Sequence, residues 1–459
     1  MNVFGWVVAG AAGWFWVRAL LPRRRTRPAW THVMLEASLG LAWGAGATAS
    51  LFFALLWAGV KPATAAWTAD GALTAFGALL WFLLRRPPEE TAPPAARPFP
   101  MAWLAAVAAG VSLAAFFAAT TVYLHANPQG DGDAWASWNT RARFLTHDRL
   151  WRNAVSPEIA ESHPEAPLLW PAAVARVWAE SGAMSQAAPQ AGAFFMSLAL
   201  AGLFGAALLV ETEWPWTCVG LLCLLSLGPF WRAAPSQYPD VPLTLFVLGA
   251  MVTAAAAERA AWSLAGLALS GMLASFAAFT RNEGIVFALC LAATLMAAAR
   301  RRVLAWLAGA APGLLLTGLF HYLLAPASAT APWASLLSFS RFVDALAAFV
   351  TGIWKLGELP AHPLLLLAIL YFAFRPSRPG ARRWIWYPPA LLMLAEFGLM
   401  WGPPGDASSQ IAPPPEWRLF HAAPALLLVF LVWLWQSSGQ GPADFSPRSD
   451  SPSGSARRG

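Results

Sequence analysis

The sequence predicts an all-α, polytopic membrane bundle of about thirteen spans, and three observations carry that prediction. Hydrophobic residues make up 58% of the 459 residues and charged residues 12%, against about 45–50% and about 25% in an ordinary soluble domain. Apolar runs near the length of a bilayer crossing, about 20 residues, recur along the chain. Arginines fall on alternate connections between those runs. These features exclude a disordered chain, a coiled coil and an ordinary cytosolic enzyme.

The runs are 3–21, 33–60, 64–84, 101–124, 190–210, 214–231, 241–257, 262–281, 284–299, 303–324, 363–374, 384–401 and 418–436. The first has no basic residue before it and is followed by Arg23, Arg24, Arg25 and Arg27. It reads as a spanning helix with its N-terminus outside, not as a cleaved signal. The next two end at Arg85 and Arg86, where a Pro-rich linker up to Pro100 separates three accessory spans, residues 1–100, from a core at 101–436. Further on, Arg259, then Arg300, Arg301 and Arg302, then Arg375, Arg378, Arg382 and Arg383 fall on the same side. That side is the cytoplasm by the positive-inside rule, and a missed span would scramble the pattern. The opposite side takes 13 of the 23 acids, a bias that insertion does not require.

Two outer segments are long, 125–189 and 325–362. The second mixes Trp333, Phe339, Phe342, Phe349 and Trp354 with Arg341, Asp344 and Lys355, as an amphipathic interfacial helix does. The tail, 437–459, is rich in Ser, Gly and Pro and is expected to be a disordered cytoplasmic segment. The net charge of +7 reflects cytoplasmic arginines, and no nucleic-acid partner is expected. Cys218, Cys223 and Cys290 sit in apolar runs without metal-ligand spacing and read as reduced structural thiols.

Five polar clusters land on the outer face. Asp131 and Asp133 alternate with Gly130 and Gly132 just after the fourth run. Such a pair serves as a general base or a metal site, or merely caps the following helix. The same cluster continues into Trp138, Arg141, Arg143 and Leu145. Trp138, Arg141 and Leu145 share a helical face suited to a lipid phosphate, or to simple interfacial anchoring. His163 and Glu165 stand between prolines and suit a metal, a sugar hydroxyl or a structural turn. Tyr238 and Asp240 open the seventh run. Arg281 and Glu283 fill the turn between the eighth and ninth, where a charge facing a cavity marks function; mutual neutralisation is the alternative. Arg418 and His421 open the last run; Arg418 suits an outer-leaflet phosphate or a snorkelling role.

Taken as an ordered set, these residues resemble the GT-C-type membrane glycosyltransferases, among them dolichyl-phosphate-mannose protein mannosyltransferases and bacterial lipid A sugar transferases. The resemblance rests on Asp131-Gly132-Asp133-Ala134-Trp135, Trp138 through Arg143, His163 through Leu168, Tyr238 through Pro242, and Thr280 through Gly284, and covers about 101–435. It implies a GT-C-like fold in a bacterial inner membrane with its active site on the periplasmic face. It also implies transfer of a sugar from a polyprenyl-phosphate donor to a hydroxyl of a lipid, glycan or protein acceptor, with inversion. Asp133 becomes the base and Asp131 its assistant. Arg418, Arg281 or Arg141 faces the leaving phosphate, and a divalent cation (Mg or Mn) at the two aspartates is an alternative. The three spans before residue 101 precede the family's usual start. A secondary transporter is the rival from another class, although no inverted repeat is visible; a non-catalytic scaffold is a third.

Overall fold

The computed structural model describes residues 3–22, 24–25, 28–84, 89–90, 102–326, 339–358, 362–374, 383–401 and 414–438. The linker 85–88 and 91–101, the tail from 439, and the connections 327–338 and 402–413, with Trp333 and Asp406, lie outside the described residues. The regular structure among the described residues is helical except for one two-residue parallel pairing, β1 (Arg24–Arg25) with β2 (Glu89–Glu90).

The helices follow the apolar runs in order. They begin with α1 (Phe4–Leu20), α2 (Ala29–Trp57), α3 (Pro62–Leu84) and α4 (Ala102–Ala126). The outer segment folds into α5 (Asn139–Leu145) and α6 (Leu169–Ser181), with short helical turns between them. Then come α7 (Ala187–Glu211), α8 (Trp214–Leu225), α9 (Gly228–Ser236), α10 (Asp240–Arg259), α11 (Leu264–Thr280), α12 (Asn282–Ala299) and α13 (Val303–Leu323). The series closes with α14 (Phe339–Trp354), α15 (Pro363–Phe374), α16 (Tyr387–Trp401), α17 (Pro415–Phe420) and α18 (Ala423–Ser437). Among the described residues, six helical stretches are long and apolar enough to cross a membrane, with α12 and α13 taken as one; the pair α8–α9, bent by 73°, makes a seventh. This is the architecture of a helical membrane protein. Length and apolarity alone support fewer crossings than thirteen, because α1, α11, α15 and α18 have only 10–17 residues.

Lipid supplies no hydrophobic drive between helices, so close packing of small residues holds them. Gly13 of α1 shows this. A side chain there would strike the backbone of Gly40 and Gly44 in α2. The first three helices are not a separate layer. Trp43 of α2 donates through Nε1 to Met272 Sδ of α11 at 3.2 Å, and its ring meets Phe276. Arg176 of α6 is fully buried and binds Asp70 of α3 at 2.5 Å, its own helix neighbour Glu180 at 2.6 Å and the Gly5 carbonyl of α1 at 3.0 Å. Helix α10 is buried along its whole apolar window and α4 over 11% of its own, so α10 is the central post and α4 faces outward. The expected interfacial helix is α14. Phe342 and Phe349 pack on Phe397 of α16, while Val343, Leu346, Val350 and Trp354 form an exposed apolar stripe.

Candidate functional site

The site forms where α9 ends and α10 begins. Gln237 terminates α9 in the left-handed region, with φ of 63°, and is fully buried. Its side-chain oxygen accepts from Asn139 Nδ2 at 3.0 Å, and its main-chain carbonyl accepts from Trp170 Nε1 at 2.7 Å. The break in the helix is therefore stitched to the outer segment. The Asp131 amide adds a bond to the Ser236 carbonyl at 3.4 Å. Gly130, with φ of +77°, lies so close to that carbonyl that a side chain would sit 2.6 Å from it.

Below this knot lies a floor of buried charge. Asp240, the first residue of α10, accepts from Arg281 Nη1 and pairs with His421 Nε2, both at 2.9 Å. Arg281 turns its Nη2 and Nε onto the two oxygens of Glu283 at 3.0 and 3.2 Å, a bidentate pairing. The other ring nitrogen of His421 faces Glu396 at 3.8 Å. Three carboxylates thus surround one guanidinium and one imidazole. Glu396 is completely buried, and neither of its oxygens has a hydrogen bond among the described residues. Its signal in the sequence was a lone acid inside the run 384–401, a placement that by default marks function.

Above the floor stand the two aspartates, both partly exposed. Asp133 directly precedes the helical turn Ala134–Trp138, as a capping residue would, but makes no side-chain cap bond and accepts instead from Ser137 Oγ at 2.7 Å. Residues Ala134–Trp138 form a π-helical turn, a local widening often found at functional sites. Asp131 accepts from the Tyr123 hydroxyl. Tyr238 stacks obliquely near Trp417, with ring centroids 5.4 Å apart. Burial first, then the charges of Asp133 and Asp131, push its phenol up, so it remains a proton donor.

His163 and Glu165 close one side. His163 adopts φ of 51°, in the left-handed region that few non-glycine residues occupy. Its Nδ1 lies 3.3 Å from Glu165 Oε1. The hydrogen bond to Glu165 raises the His163 pKa against the opposing effect of burial, and the charge of Asp133 adds to it. Burial acts to raise Glu165, but the bond from His163 and the nearby charges hold it below the usual carboxylate range.

The helical face of Trp138, Arg141 and Leu145 turns inward, not toward lipid headgroups: all three are buried. The reason is in the donors of Arg141. Its Nε binds the Ala154 carbonyl at 2.8 Å, Nη1 that of His163 at 3.0 Å, and Nη2 those of Pro164 at 3.4 Å and Ala166 at 2.6 Å. Arg141 is a clamp that shapes the His163 turn. Arg143 is exposed and makes none of the site's hydrogen bonds, while Arg418 on α17 is half-buried. Arg232, not foreseen from the sequence, has a side chain 52% exposed and lies 3.4 Å from buried Glu416.

The structure thus brings together Asp131, Asp133, His163, Glu165, Tyr238, Asp240, Arg281, Glu283 and His421 and leaves Arg143 aside. Among the described residues, no group of three or more His, Cys, Asp or Glu side chains is arranged to hold a metal ion. Searches of family models, curated proteins and solved structures find no match to this chain.

Proposed function

We propose that the protein is a membrane glycosyltransferase with a GT-C-like arrangement of about thirteen spans, working at the periplasmic face of a bacterial inner membrane. It moves a sugar from a polyprenyl-phosphate donor to an acceptor hydroxyl. The observation that carries this reading is the pair Asp131 and Asp133, partly exposed above a fully paired Arg281 and beside a protonated Tyr238. Carboxylates free to meet a ligand then stand over a preorganised charged floor. In this reading Asp133 takes the acceptor proton while the acceptor oxygen attacks the anomeric carbon. The bond to the polyprenyl phosphate breaks, and one displacement inverts that carbon. Arg141 and Arg281 direct their donors to protein carbonyls and carboxylates, so Arg418 is the arginine of the expected three that is left to face the leaving phosphate.

Purified protein in liposomes, given a synthetic polyprenyl-phosphate sugar and an envelope lipid acceptor, tests the activity. Transfer from a soluble nucleotide sugar without any lipid intermediate would sink it. Deleting the gene and weighing envelope glycans and lipids by mass spectrometry would name the product. For sidedness, a Glu158→Cys variant lacking the native cysteines should react with a membrane-impermeant thiol reagent from outside only. The bent pair α8–α9, which meets buried charge at the start of α10, favours a transporter as the second reading, since broken helices and buried charges mark transport sites. Substrate uptake by proteoliposomes without glycosyl transfer would select it.

A further inference from the structure

Glu396 and His421 meet in the buried floor and take no part in the transfer proposed above. Glu396 lies in α16, near its end at Trp401, and His421 joins α17 to α18. Glu396 is completely buried and His421 is 1% exposed. Among the described residues, neither oxygen of Glu396 has a hydrogen bond, and Nδ1 of His421 has none either. These unpartnered atoms face each other at 3.8 Å. A hydrogen bond needs about 2.7–3.2 Å. The terminal torsion of a glutamate is broad, so a small turn of the carboxyl closes the gap.

The surrounding charges fix where a proton sits. Asp240 accepts from Arg281, so it is a carboxylate, and Nε2 of His421 carries the hydrogen of their 2.9 Å contact. Only Nδ1 and Glu396 are left to decide. If both lack a proton, a lone pair points at a buried carboxylate that has no cation on it, which low-dielectric surroundings penalise heavily. A proton on either atom turns the contact into a hydrogen bond. The neighbouring elements do not supply that charge. Arg281, at the start of α12, is bound to Glu283 and to Asp240 of α10. Helix α14 carries Arg341 and Asp344, and α17 carries Glu416 and Arg418. Among the described residues, none of these four bonds to Glu396 or His421, and α18 has no charged residue. We propose that Glu396 and His421 form a buried proton-binding pair, one proton lying between Nδ1 and the Glu396 carboxyl while the Nε2 hydrogen stays on Asp240. The floor then gains or loses a single charge without moving an arginine. This inference rests on the floor alone and stands whether or not Asp133 is a base.

The test uses the full chain in nanodiscs near neutral pH. Infrared difference spectra between the protein and Glu396→Gln read the carbonyl stretch of a protonated carboxylic acid. Nitrogen resonances of isotope-labelled histidine, assigned by their loss in His421→Asn, read whether Nδ1 is protonated. Glu396→Met, uncharged and of similar length, serves if Glu396→Gln does not fold. Two results support the pair. One is an acid carbonyl band that disappears with the Glu396 carboxyl. The other is a His421 ring protonated on both nitrogens that reverts to one when that carboxyl is removed. No acid band together with a bare Nδ1 overturns the proposal. A ring protonated on both nitrogens with and without the Glu396 carboxyl, and no acid band, overturns it as well.

Discussion

Arg281, mostly buried, and Arg141, fully buried, are both guanidiniums of the candidate site, and they are satisfied in opposite ways. Arg281 sits among Asp240, Glu283 and the nearby Glu396, so its charge is cancelled within the floor. Arg141 donates to carbonyls at four positions and meets only the more distant charge of Glu165. Carbonyls supply partial charge without neutralising a cation. The first arrangement fixes helix ends relative to one another. The second shapes a loop and leaves a positive field beside the His163 turn, which helps keep Glu165 ionised. Burial of an arginine therefore says little about its task until its acceptors are known.

The largest effect is expected where charge balance is lost. Arg281→Ala strands two or more buried carboxylates and should cost about 3–5 kcal/mol, as breaking buried ion pairs does. Thermal unfolding of the protein in detergent checks this, and an unchanged midpoint would show that the floor is not a charge-balanced unit. Asp133→Asn keeps the shape and removes the basicity. Turnover in the liposome assay should fall at least about a hundredfold, the lower range for general-base catalysis, and Asp131→Asn should do less. If both variants keep normal turnover, the proposed mechanism fails.

Arg141→Ala should act locally. Carbonyls at Ala154, His163, Pro164 and Ala166 lose their donor, but the bonds at His163 and Ala166 are only part-buried and water can replace them, so the total loss should be about 1–3 kcal/mol. Hydrogen exchange should quicken across 154–166 while α10 stays protected. Exchange spreading into α10 would erase the contrast with Arg281.

A pH effect comes next. The His163 pKa is raised in the folded protein, so its stabilising contribution is complete below its unfolded value, about 6.5, and is lost as pH rises through the folded value. The difference in unfolding midpoint between the protein and His163→Gln should shrink over that window. A difference that grows with pH would contradict the pairing with Glu165. The smallest effect belongs to exposed Arg143, whose replacement by Ala should change stability by less than about 0.5 kcal/mol.

Helix order was legible in the sequence because a bilayer crossing imposes a long apolar run on each segment, and each predicted run falls on helix, the sixth on the bent pair α8–α9 and the last on α17–α18. The grouping of Asp131, Asp133, His163, Asp240 and Arg281 was legible as well, since alternating connections place polar clusters on a shared side. What lay beyond reach were pairings across long chain separations. Asp240 meets His421, and no periodicity links residues that far apart. Glu396 could not be placed at the site from its own segment, because its neighbour His421 comes from another helix end.

Composition and the spacing of apolar runs determined an all-helical membrane chain, because the cost of polar groups in hydrocarbon is written into each segment separately. Tertiary structure alone decided which arginine clamps a loop and which neutralises a floor, that Asp133 leans on Ser137 rather than on a helix end, and that α1–α3 share the core with the rest. Those outcomes depend on the distance between groups brought together by packing, and a single segment carries no record of what will stand beside it.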